Sequence, residues 1–125
     1  MDKNKPLQLV LKYKWFDMIK PGIKPEEYRE IKPSIVSMLF DWKASGLKLV
    51  DFTERLKKER NESPLWVYFK HTHVTFYRGY STDREKMTFR ISNCSIGPAF
   101  SEWSDNFPGD VFVIDLEKED GTGKV

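Results

Sequence analysis

A single cysteine, Cys94, stands in the 125-residue chain, which excludes an intramolecular disulfide and points to the reducing cytoplasm. No apolar run approaches the ~20 residues that cross a bilayer, so no membrane partner is expected. Strong net charge is missing too. Twenty-one Lys and Arg against nineteen Asp and Glu leave +2, which by itself announces no polyanion binder. The run "GTGK" near the C-terminus follows no strand–loop–helix pattern and is no phosphate loop. His71 and His73 are the only histidines; they share a strand face, but no third ligand completes a metal set. No metal or other cofactor is therefore expected. Ser101 and Ser104 have no histidine placed by sequence to activate them, which argues against a Ser-His-Asp hydrolase.

What is present is aromatic and charged: Phe, Tyr and Trp make up 14% of the chain and charged residues 32%. That profile, without linker, repeat or low-complexity segment, suits one small β-rich domain over residues 1–125. The charge is uneven. Residues 1–60 hold fourteen basic against nine acidic side chains, a balance of +5, and the rest hold seven against ten, a balance of −3. Such a basic half either faces an anion or solvates helices.

Along the chain, "LQLVLKY" alternates Leu7, Leu9, Leu11 and Tyr13 against Gln8, Val10 and Lys12, the pattern of a half-buried strand. "KWFDMIKPG" reads as a short helix with Trp15, Met18 and Ile19 on one face, stopped by Pro21 and Gly22. Residues 26–31 lack a helical stripe and precede an X-Pro step, so a strand is expected. A second helix runs from Pro33 through Ile35, Val36, Met38, Leu39 and Trp42 to a stop at Gly46. "DFTERLKKER" opens with Asp51 and Glu54 at capping-box spacing and continues as a basic helix or turn until "NESP" interrupts it. "LWVYFK" with "HVTFYRGYS" forms a hairpin or one bent strand, and "KMTFRISNCSI" and "DVFVIDLE" are further strands. Residues 118–125 form a frayed tail. This order predicts an α+β fold: a small mixed, mainly antiparallel barrel with two or three helices packed outside.

Between Pro21 and Pro33, "PGIKPEEYREIKP" crowds charge onto one predicted strand. Period two puts Glu27, Arg29 and Ile31 on one face and Glu26, Tyr28 and Glu30 on the other. An inward Glu and Arg, with Lys24 just before them, form either a structural ion pair or a ligand site. Tyr77, Arg78 and Tyr80 around Gly79 offer stacking and phosphate contacts, or else the rim packing of a tight turn. The loop with Phe100, Trp103 and Phe107 is a lid or a hydrophobic plug.

Gly22, Lys24, Glu27 and Arg29 match the pattern G-x-K-x-x-E-x-R, and this segment resembles the signature of the ASCH domain family, a branch of the PUA-like barrels. The leading "LVLKYKWFDMI", then "VTFYRGYS", an aromatic loop and a closing "FVIDLEK" follow the order of small single-domain bacterial and phage members. The resemblance implies a barrel whose cleft, lined by this segment, binds RNA, a nucleotide or a modified nucleoside. Lys24, Arg29, Tyr28, Arg78, Tyr80 and Trp103 are the expected contacts. It also raises the alternative of a hydrolase: one branch cleaves N4-acetylcytidine with a Lys followed three positions later by Thr, and another is a ribonuclease. Here Lys24 is followed by Glu27 instead, so the catalytic pair of that alternative is Lys24 and Glu27. A third reading is a protein-interaction domain docking through the basic helix near Lys57.

Overall fold

The computed structural model describes residues 5–118. Its frame is a five-stranded sheet curled into a half-barrel, in the order β1-β3-β4-β5-β2. β1 (Leu7–Leu11) runs parallel to β3 (His73–Arg78), while β3 with β4 (Lys86–Gly97), β4 with β5 (Val111–Lys118), and β5 with β2 (Glu26–Glu30) are antiparallel. The mainly antiparallel mixed sheet matches the expectation. Closure does not: β1 and β2 are edges, and the gap between them is where the cleft lies. No helix among the described residues is long and apolar enough to cross a membrane.

Three helices cover one face: α1 (Tyr13–Ile19), α2 (Pro33–Leu39) and α3 (Leu49–Glu59). The main core holds Leu7, Leu9 and Leu11 of β1, Phe16 and Ile19 of α1, Val36 and Leu39 of α2, and Phe52 and Leu56 of α3, packed on Val74, Phe76, Phe112 and Ile114. The alternation of β5 exposes Val111 and Val113 to the opposite face, where they and Tyr28 form a second cluster with Ala99, Trp103 and Phe107. Directly opposed residues of an antiparallel pair share a face. Glu27 opposes Ile114 and Arg29 opposes Phe112, so both charges sit on the main-core face, while Tyr28 opposes Val113.

Several local expectations are overturned. Tyr13 does not continue the buried side of β1; it begins α1 and is exposed. The helix from Pro33 ends at Leu39, because Phe40 turns extended and is drawn into the core among Phe52, Trp66, Phe69 and Phe112. Backbone bonds from Asp41 N to Tyr68 O and from Lys70 N to Leu39 O hold that break, and Trp42–Ser45 resumes as a separate 3₁₀ turn closed by Gly46. Asp51 caps nothing: Leu49 packs on the core, so α3 begins upstream of it, and Asp51 instead lies in the first turn, where a carboxylate complements the helix dipole. "LWVYFK" is no strand. Pro64–Tyr68 is a 3₁₀ turn, started by Pro64 and by the Ser63 hydroxyl accepting from the Leu65 amide, so no hairpin with β3 exists. Of the expected frayed tail, residues 119–125 lie outside the described residues.

Candidate functional site

The turn after α1 sets up the site. Gly22 takes φ 94°, a left-handed conformation that costs glycine little, and its amide bonds Ile19 O. Lys24 N then bonds Met18 O at 2.9 Å, which fixes the lysine beneath the start of β2. Its side chain is only 1% exposed. Lys24 Nζ donates to Glu27 Oε1 at 2.9 Å and to the Glu26 carbonyl at 2.7 Å, and lies 4.5 Å from the Tyr28 ring centroid. Burial pushes the Lys24 ammonium below its ordinary pKa, and Glu27 partly offsets that shift. The second Glu27 oxygen accepts from Arg29 Nη1.

Arg29 then crosses the gap in the half-barrel. Nη1 also donates to Tyr28 O at 2.9 Å, and Nη2 donates to Val10 O of β1 at 3.3 Å. A guanidinium has five N–H groups; these bonds use three, leaving the Nε N–H and one of the two Nη2 N–H groups without a partner among the described residues. A chain of charge thus runs from a fully buried ammonium through one carboxylate to a guanidinium that joins the two sheet edges.

The cleft beside it has a volume of about 830 Å³. One wall is the end of β1 and start of α1, from Val10 to Tyr13 with Trp15; the other is β2 with Trp103, Ser104, Asp105 and Phe107. Tyr80, 83% exposed, stands at the rim. Its position follows from Gly79, whose φ of 70° and close approach to the Tyr13 ring leave no room for a side chain. Six charged side chains line the cleft, three of each sign, and each cation has a carboxylate. Lys12 pairs with Asp105 at 2.9 Å, Arg29 with Glu27, and Lys32 with Glu30 at 3.8 Å. The Lys12 ammonium holds the Asp105 carboxyl below its ordinary pKa.

Of the residues expected from sequence, Glu27, Tyr28, Arg29, Tyr80 and Trp103 meet around this cleft. Lys24 supports it from behind without lining it. Arg78 is turned elsewhere: it makes a two-pronged pair with Asp17 at 2.8 and 2.9 Å and stacks over Tyr13, an arrangement that lowers the Asp17 pKa and raises that of Arg78. His71 and His73 do not converge, since His71 Nε2 faces Met38 O and His73 Nδ1 faces Thr72 Oγ1. Sequence reasoning missed Lys12, Lys32 and Asp105, whose roles depend on a fold that brings position 105 to position 12. No protein-family model, curated protein or solved structure matches the chain.

Tyr28 ties β2 to the segment between β4 and β5. Its hydroxyl donates to Glu26 Oε2 and accepts from the Phe100 amide at 3.2 Å. Burial, followed by the Glu26 carboxylate, raises its pKa above the ordinary value of 10.0. The folded protein therefore keeps this proton where the unfolded chain releases it. The resulting stability is complete below pH ~10 and falls as pH rises further. Compared with Tyr28→Phe in denaturant titrations, the wild-type advantage should hold constant to about pH 9 and shrink above 10; an advantage growing with pH would contradict the assignment.

Proposed function

We propose that this protein is an ASCH-type, PUA-like domain whose cleft binds one nucleobase, carried by single-stranded RNA or by a modified nucleoside. The observation that carries this reading is the convergence of Glu27 and Arg29, backed by Lys24, on an aromatic-walled cleft. The half-buried Trp103 and Phe107 supply apolar ring surface, backed by the buried Trp15 and Tyr28, and a base stacked on an aromatic ring gains roughly 1–3 kcal/mol. The Nε and Nη2 edge of Arg29 matches two neighbouring acceptors on a base edge. With every lining cation already paired, the cleft suits the uncharged base better than the phosphate backbone.

Salt dependence tests this directly. Each phosphate neutralised on a single strand contributes a slope of about 0.7 in log affinity against log salt, or roughly 2.6-fold between 50 and 200 mM. Binding of N4-acetylcytidine and of a short unstructured RNA should change less than about threefold over that range. A loss of a hundredfold or more would show that the phosphates are held and overturn base recognition in this cleft.

Hydrolysis is the less supported reading. Lys24 Nζ is buried and committed to Glu26 and Glu27, so a substrate in the cleft meets Arg29 before it meets the lysine. The basic face of α3 likewise supports docking poorly, because Lys57 pairs with Glu54 and Arg55 with Glu59 on the same helix.

A further inference from the structure

The segment between β4 and β5 is bounded by Pro98 and Pro108, which restrict the backbone at both ends. It does more than connect neighbouring strands. Along one side it packs onto the outer face of the β2–β5 pair: Ala99, Trp103 and Phe107 lie against Tyr28, Val111 and Val113. The Phe100 amide bonds the Tyr28 hydroxyl. Internally it is stiffened by a bond from Trp103 N to Phe100 O, by Ser104 Oγ donating to the same carbonyl at 3.0 Å, and by edge-on contact of the Phe100 and Trp103 rings, 4.5 Å apart.

At its tip the attachment is different in kind. Asp105 reaches across the mouth of the cleft to Lys12, just before α1. The Lys12–Asp105 pair is 70% and 56% exposed, so it is weak and screened by salt, whereas the apolar side is not. Its two members belong to opposite walls of the cleft.

We propose that residues 98–108 form a strap across the open side of the half-barrel, hinged along β2 and β5 and latched to the start of α1 by Lys12 and Asp105. Release of the latch lets the tip at Ser104–Asn106 swing away from Val10–Tyr13, while Trp103 and Phe107 stay packed on the hinge side, and widens the mouth through which a ligand enters. The strap rests on the geometry of the cleft alone and stands whether or not the occupant is a nucleobase.

Hydrogen–deuterium exchange on the full chain without ligand tests it. Asp105→Asn keeps the side-chain shape but removes the charge, and Lys12→Gln removes it from the other side. Both variants, and the wild type moved from 20 to 500 mM sodium chloride, should exchange the amides of residues 102–107 roughly 1.5- to 5-fold faster. Lys12→Arg should behave as wild type, and β4 and β5 should keep their protection in every case. Unchanged exchange in both charge-removing variants would overturn the latch. Equal acceleration across β2 and β5 would overturn the hinge, because the strap would then not move as a separate unit.

Discussion

Glu27→Ala is expected to destabilise the protein by about 3–5 kcal/mol, the range for breaking a buried ion pair by removing one partner. Lys24 and Glu27 are 1% and 6% exposed, so water does not replace the lost carboxylate. The ammonium would be left with one carbonyl acceptor and two aromatic faces. For a chain of this size the melting temperature should fall by roughly 10–20 °C in calorimetry. Lys24→Met should cost less, because Glu27 keeps Arg29 as a partner. The pH dependence follows from the direction of the lysine's shift. Without Glu27 the folded-state pKa of Lys24 drops further, the unfolded chain binds more protons, and stability rises with pH toward the ordinary lysine value of 10.5. The deficit of Glu27→Ala should therefore narrow in alkali. A loss within about 1 kcal/mol at neutral pH would mean that the network is not a closed buried unit.

Phe40→Ala should also cost about 3–5 kcal/mol, the usual range for truncating a buried phenyl ring. Phe40 is fully buried, with the rings of Phe52, Trp66, Phe69 and Phe112 at 5.2–5.9 Å. Its position depends on the break between α2 and the following 3₁₀ turn, so the same ring supports both the core and the chain path. Chemical denaturation should show the loss with an unchanged denaturant slope. A cost below about 1 kcal/mol would indicate that its four neighbours close over the space.

That break shows where sequence reasoning stops. Pro33, Val36, Leu39 and Gly46 agree with one continuous helix, and local propensity holds no record of the rings from positions 52, 66, 69 and 112 that pull Phe40 out of it. Strands were legible where alternation recorded a buried face, as with Leu7, Leu9 and Leu11. β2 was legible for a second reason, the proline after Lys32 and the absence of a helical stripe. "LWVYFK" misled because its strand-forming residues are overruled by Pro64 and the Ser63 cap. The parallel pairing of β1 with β3 joins positions more than sixty apart, which no local pattern encodes.

The site divides in the same way. Glu27 and Arg29 were placed together by strand period, and the structure joins them through a direct ion pair. Lys24 was expected at the opening and is instead buried, because the Gly22 turn carries it under β2 rather than over it. Arg78 was expected near the cleft; a carboxylate sixty-one positions earlier, Asp17, holds it outside. Long-range pairing decides which cations remain for a ligand, and of the cleft cations only Arg29 combines partial burial with uncommitted donors.

The central claim is that Arg29 presents those donors to a bound base. Calorimetric titration of N4-acetylcytidine and a short unstructured RNA into wild type and Arg29→Ala, with melting temperatures measured in parallel, tests it most directly. The account predicts roughly 10- to 150-fold weaker binding by the variant, equivalent to a lost charge-assisted hydrogen bond of about 1.5–3 kcal/mol, with the variant still folding cooperatively. Equal affinity in a folded Arg29→Ala protein, or no binding of either probe by the wild type, would contradict it.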